Sequence, residues 1–213
     1  MYIPAHFEEN RPEVLHGLMA EHPFAALVTH GPIGLDANHL PFEFDPSSGP
    51  HGTLRAHVAR ANPVWREAAE RPEALVIFQG ATAYISPTWY PSKHETHRQV
   101  PTWNYMVVHA HGRIAVRDDE AFVRGFVARL TRKMEANESK PWKMGDAPAD
   151  YLTQMLGAIV GIEIEVTQLV GKWKLSQNKA SPDRRGAADA LLERGGDEQV
   201  RVGEAMLKAP PEL

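Results

Sequence analysis

The densest run of chemically capable side chains lies at residues 84–109, YISPTWYPSKHETHRQVPTWNYMVVH. Tyr84, Trp89, Tyr90, Trp103 and Tyr105 supply flat apolar faces. Lys93, Arg98, His94, His97 and His109, with His111 just beyond, supply cations and ring N–H donors. Aromatic walls beside positive charge suit a planar anionic ligand. Apolar runs at 74–78 and 105–108 flank the stretch, so it reads as a rigid, proline-bearing loop between two buried strands.

Two further segments could read an anion. In TLRAHVARANP (53–63), Arg55 and His57 share one side of a strand, opposite Leu54 and Val58, and Arg60 and Asn62 sit where the chain turns outward. A phosphate rewards this mixture of guanidinium, imidazole and amide donors. The second segment, Lys172-Trp173-Lys174 followed by Gln177-Asn178-Lys179, again sets lysines around an indole. Each segment has a plainer reading as a solvated strand with exposed charges, and tryptophans are as often core or interface residues as ligand walls. Trp89, Trp103 and Trp173, however, all have Lys, Asn or Gln close in sequence. A flavin needs that combination: an apolar wall for the ring, donors for its carbonyls, and cations for its phosphate.

Other chemistries fit poorly. His94-Glu95-Thr96-His97 resembles a zincin motif, but its histidines are three apart and the prolines around it argue against a helix. His109 and His111 alternate as a strand pair without a third ligand nearby in sequence, so no metal is expected. Ser86 and Ser176 lack a Gly-x-Ser-x-Gly elbow. Gly171-Lys172-Trp173-Lys174 lacks the spacing of a phosphate-binding loop.

With 43% apolar and 23% charged residues, the 213-residue chain has the composition of a globular protein able to bury a core. Its net charge of −4 supplies no general attraction to nucleic acid. The absence of cysteine fits a reducing cytoplasm and excludes disulfides and thiolate metal sites. No signal peptide and no apolar run near the roughly 20 residues of a membrane span is visible.

The elements that must position these residues follow from periodicity. Asn10 and Pro12 open a helix carrying Val14, Leu15, Leu18 and Met19 on one face. Strands are expected at 24–29, 35–44 with a break at Pro41, and 53–60, with a short helix at 64–70. Asp118 opens a helix with Phe122, Val123, Phe126, Val127, Leu130 and Met134 inward. A second begins near Pro148, with Tyr151, Leu152, Met155, Leu156 and Ile159 inward. Residues 162–167 alternate as a half-buried strand, and helices near 182–194 and 197–207 finish the chain. Roughly six antiparallel strands with late helices give a mainly β (α+β) fold, a small barrel with helical decoration.

The ordered segments MYIPAHF, ANHLPF (37–42), GTLRAHVARANPVW (52–65), YISPTWYPSK (84–93), VPTWNY (100–105) and LVGKWKLSQNK (169–179) resemble the FMN-binding negative transcriptional regulator family, the PaiB type. The likeness runs from Met1 to about Arg201. It implies a split β-barrel of the flavin-reductase and pyridoxamine-phosphate-oxidase kind, as a single domain over 1–213 with helical insertions at about 118–159 and a helical tail at about 182–207. It also implies a cytoplasmic homodimer with FMN at the subunit interface. By that likeness Arg55, His57, Arg60 and Asn62 hold the phosphate. Ser86, Trp89, Tyr90 and Lys93, then Thr102, Trp103 and Asn104, then Lys172, Lys174 and Gln177 close over ribityl and ring. The family label implies a flavin-binding repressor or sensor, yet no helix-turn-helix is visible and DNA binding has little support in composition. Two alternatives remain: an FMN-dependent oxidoreductase of a small molecule, whose chemistry the flavin itself would carry, and a haem-binding split barrel using His6, His39 or His109.

Overall fold

Residues 1–209 are described by the computed structural model. In chain order they form β1 (Glu8–Glu9), α1 (Pro12–Glu21), β2 (Phe24–Gly31), β3 (Gly34–Pro41), β4 (Glu43–Asp45), β5 (Thr53–Ala59) and α2 (Val64–Glu70). Then come β6 (Glu73–Ile85), α3 (Pro91–Thr96), β7 (Thr102–Arg117), α4 (Glu120–Met134), α5 (Ala149–Gly157), β8 (Ile159–Lys174), α6 (Ser181–Arg194) and α7 (Asp197–Lys208). The chain divides into two compact units. One takes Met1–Leu18, Gln79–Val108 and the chain from Val170 on; the other takes Met19–Phe78 and His109–Leu169.

The second unit holds most of the antiparallel sheet. β2 and β3 form a hairpin from Phe24↔Pro41 to Gly31↔Gly34, and β2 also pairs β6 through Ala26↔Ile77 to Thr29↔Ala74. β5 pairs β4 on one side and β8 on the other, from Thr53↔Glu165 to Ala59↔Ile159. Period-two patterning explains the inward faces: Leu54, Ala56 and Val58 on β5 and Val160, Ile162, Ile164 and Val166 on β8 are all buried. α4 lays Val123 and Phe126 into this core. Gly161 permits the approach of α4, because a Cβ there would sit 2.6 Å from the Phe122 ring and 2.8 Å from the Arg117 carbonyl.

The first unit is built around Ala81, Ala83, Ile85, Tyr90, Leu175, Ala187, Ala188, Leu191, Val202 and Met206. α6 and α7 pack on each other and on the loop between β6 and β7. Gly186 lets α6 reach that loop, since a Cβ there would lie 2.5 Å from the Trp89 carbonyl oxygen.

Several expectations are corrected. Residues 91–96 do form a helix, α3, because Pro91 stands at its first position, where the missing N–H costs nothing. It ends at His97 in the left-handed region, φ 58°. The strands around this loop extend to Glu73–Ile85 and Thr102–Arg117, well past their apolar centres. α4 is capped by Asp119, whose side chain accepts the Phe122 N–H, rather than by Asp118. On α5 only Leu156 is buried, while Tyr151 is 52% exposed and Met155 is also open. Met134 at the end of α4 is likewise exposed.

Candidate functional site

The four residues expected to hold phosphate lie in the second unit and already have partners, or none to offer. Arg55 donates to Glu163 at 3.0 Å and to Asp45 at 3.1 Å, and Arg117 donates to the other Glu163 oxygen at 2.6 Å. Burial pushes the Glu163 carboxyl up, but the hydrogen bonds from Arg117 and Arg55 outweigh it and hold it below its ordinary value. Arg60 forks onto Asp118 at 2.9 and 2.6 Å and also donates to the carbonyls of Gly157 and Ile159. Asn62 donates to Asn38 at 2.6 Å and accepts the Val64 N–H at the start of α2. His57 packs edge-on against Phe126, its Nδ1 buried without a hydrogen-bond partner, and burial lowers its pKa. The geometry is that of clamps tying β5 to β4, β8 and the flanking loops.

The remaining candidates lie in the first unit, and the pleat of β7 sorts them. Neighbours on a strand point to opposite faces, so Trp103 is 55% exposed while Asn104 is fully buried. On the Trp103 side, Tyr84 meets Trp103 edge-on at 5.8 Å. A cleft there is lined by Tyr84, Trp89, Trp103 and Arg194, with the Arg194 guanidinium 4.6 Å over the Trp89 ring. Ser86 Oγ accepts the Thr88 N–H and shapes the turn before Trp89. Tyr90 is wholly inside the core, so its ring is not available to stack on a ligand. Lys93 takes part in α3 through its backbone, accepting the His97 N–H.

Thr102 and Asn104 line a second cavity with Val100, Lys174, Ser176 and Lys179. The Lys174 ammonium donates to Thr102 Oγ1 and the Trp103 carbonyl, each at 2.5 Å. Asn104 donates to Ser176 Oγ at 2.9 Å. Lys179 donates to Gln99 at 2.7 Å and lies 5.4 Å from the Tyr90 ring centre. Lys172, itself buried, donates to the Tyr2 carbonyl and sits 5.5 Å from the Tyr105 ring centre. Gln177 is spent on its own loop, accepting from Leu175 N and donating to the Trp173 carbonyl. Among the described residues, none of these three lysines has an ion-pair partner. Burial, then the charges of Lys172 and Lys179, lower the pKa of Lys174. A cavity ringed by ammonium, hydroxyl and amide groups, with no carboxylate on its wall, has the donor set that a phosphate requires.

One supporting network was not anticipated. Asp183, buried on the first turn of α6, accepts from Ser92 N at 3.0 Å, from Ser92 Oγ at 2.6 Å and from Gln99 at 3.3 Å. It thereby fixes α3 and the Gln99 that holds Lys179. The Ser-Pro-Asp sequence that opens α6 was a visible helix start, but its partner lies 91 residues away. Asp183→Ala leaves these buried donors unmatched and is expected to lower stability by about 1.5–3 kcal/mol. Urea unfolding checks this, and a change under about 0.5 kcal/mol would show the network to be ornamental.

Comparison with known proteins identifies the family and the fold. The family model described as "Putative FMN-binding domain" matches residues 1–168. Protease synthase and sporulation protein PAI 2 of Bacillus subtilis (strain 168) is 30% identical over 206 residues, covering 97% of this chain and 96% of that protein. Among solved structures, the flavocytochrome Anf3 of Azotobacter vinelandii aligns with a TM-score of 0.60 at 11% identity, over 85% of this chain and 74% of that one. A FAD and heme binding protein of Mycobacterium smegmatis aligns at 0.57 and 16% identity, over 89% and 80%. These two likenesses are of fold, a mainly β split barrel of the flavin-reductase and pyridoxamine-phosphate-oxidase kind. The chain belongs to the FMN-binding family of PaiB type, and FMN is its cofactor.

Proposed function

We propose that this chain is a homodimeric flavin-binding repressor or sensor, formed from one domain over 1–213 and working in the cytoplasm. In this reading Lys174 and Lys179, with Thr102 and Ser176, hold the FMN phosphate. The observation that carries the placement is the contrast in charge pairing. Arg55 and Arg60 already face carboxylates, whereas Lys172, Lys174 and Lys179 have no carboxylate partner among the described residues. An anion entering beside the lysines relieves their mutual repulsion; beside the arginines it would compete with Glu163, Asp45 or Asp118. Once bound, FMN supplies two-electron redox chemistry, and the protein binds, orients and shields it.

The exposed Val100, Tyr84 and Trp103 support a dimer, since a partner subunit would cover apolar surface that otherwise faces water. The name of the Bacillus subtilis relative ties that protein to protease synthesis and sporulation, and the repressor or sensor role is proposed for this chain on its likeness to that family. The visible spectrum of the purified protein, before and after adding FMN, tests the binding mode. A gel shift that persists at high salt would support the repressor role. Bleaching of bound flavin by NAD(P)H would instead favour the oxidoreductase.

Arg60→Ala separates the two phosphate placements. Because Arg60 ties Asp118 and two backbone carbonyls to the exit of β5, its loss is expected to lower the melting temperature. FMN affinity of the folded protein should stay within about threefold of the parent. A large fall in affinity at unchanged melting temperature would move the phosphate to Arg60.

A further inference from the structure

The segment 138–148 folds back along α4 and leaves a groove that shares no residue with the proposed flavin site. Ala128 and Ala136 give the groove a low apolar floor, and Pro141, Trp142 and Met144 form its wall. Two hydrogen bonds from backbone N–H groups to carboxylates brace that wall, one to the end of the α4 segment and one within 143–146. Glu135 accepts the Trp142 N–H at 2.9 Å, and Asp146 accepts the Lys143 N–H at 2.8 Å. The groove is therefore built in advance, and its volume of about 480 Å³ lies in the range of small-molecule sites. Trp142 nonetheless remains 43% exposed.

The charge around this groove is lopsided. Arg132 and Lys143 both line it, and neither has an ion-pair partner among the described residues. Glu135, the acid on the lining, already accepts a backbone N–H. A cationic ligand would meet two like charges, and a neutral apolar one would draw nothing from the two exposed cations at the rim. A phosphate would leave the apolar floor and wall unused. A flat apolar ring bearing one carboxylate uses both parts, with the guanidinium taking the carboxylate as a fork.

We propose that this groove binds a small aromatic monocarboxylate, its ring against Trp142 over the alanine floor and its carboxylate on Arg132 and Lys143. The site gives a sensor of PaiB type an input other than the flavin, yet it stands whether or not the flavin placement above is right.

Isothermal titration of the full-length protein, as purified, with 2-naphthoate tests the site, and 2-naphthamide serves as its neutral twin. Saturable one-to-one binding of the acid is expected, with the amide weaker by about tenfold or more. Arg132→Gln and Lys143→Gln should each weaken the acid by about tenfold and leave the amide alone. Ala136→Trp fills the floor from an exposed position and should remove binding of both, with melting temperature and flavin spectrum unchanged. Equal binding of acid and amide would overturn the proposal. So would acid binding that survives Ala136→Trp, or no heat of binding at millimolar acid. The flavin spectrum is read separately, so failure here is distinguishable from failure of the FMN placement.

Discussion

Lys174→Ala is expected to weaken FMN binding by about 1.5–3 kcal/mol, or roughly 10–100-fold, the scale of one lost charged hydrogen bond. Lys174 and Lys179 replaced together should leave no flavin bound after gel filtration. The fold should survive, because among the described residues the Lys174 ammonium donates only to Thr102 Oγ1 and the Trp103 carbonyl. pH adds a second signature. Burial and the neighbouring lysines lower the pKa of Lys174, so its free form loses its proton at a lower pH than an ordinary lysine. FMN affinity should therefore decline on the alkaline side earlier than a solvent-exposed lysine would allow, and the variant should lose that dependence. Rising salt should weaken the parent more than the variant. Fluorescence quenching of free FMN on titration measures all three effects. Parental affinity in the double variant would place the phosphate elsewhere.

Phe126→Ala is expected to be the most damaging single change to stability, at about 3–5 kcal/mol. Phe126, on the inner face of α4, is completely buried and presents its ring to His57 on β5. Truncation opens a cavity that β5 and β8, locked by their ladder, cannot close. For a chain of this size the melting temperature should fall by roughly 10 °C. Water admitted to that space would reach the His57 ring, and relief of its desolvation should raise its pKa toward the ordinary histidine value. NMR titration of the ring protons follows that shift. A loss below about 1 kcal/mol would mean that α4 is peripheral to the core.

The parts of the fold that were legible in the sequence are those where local signals and tertiary context agree. α2 forms at Val64–Glu70, where a short helix was expected after the strand that Asn62-Pro63 ends. The faces of β5 and the middle of β8 followed from alternation alone. α3 was missed because Pro91 was weighed as a breaker when its position made it an initiator. Tyr151 and Met155 fit a helical stripe by spacing, but of the residues of α5 only Leu156 is buried. The site was less legible than the fold. Trp103 and Asn104 are adjacent in sequence, so motif reading puts them in one site, while the pleat turns their side chains apart. Which cations remain unpaired is set by contacts such as Arg55 to Glu163, 108 residues apart, and no local pattern encodes such a contact.

Each unit is stitched from separated lengths of chain, and this has a consequence during synthesis. The unit with most of the sheet cannot close until β8 has been made, and the other still lacks Leu175, Leu191, Val202 and Met206 until α7 has been made. Until β8 is made, β2, β3, β5 and β6 stand with open edges and bare apolar faces. Such a nascent chain invites chaperone capture, and its slow step should be a late, long-range closure rather than early helix formation.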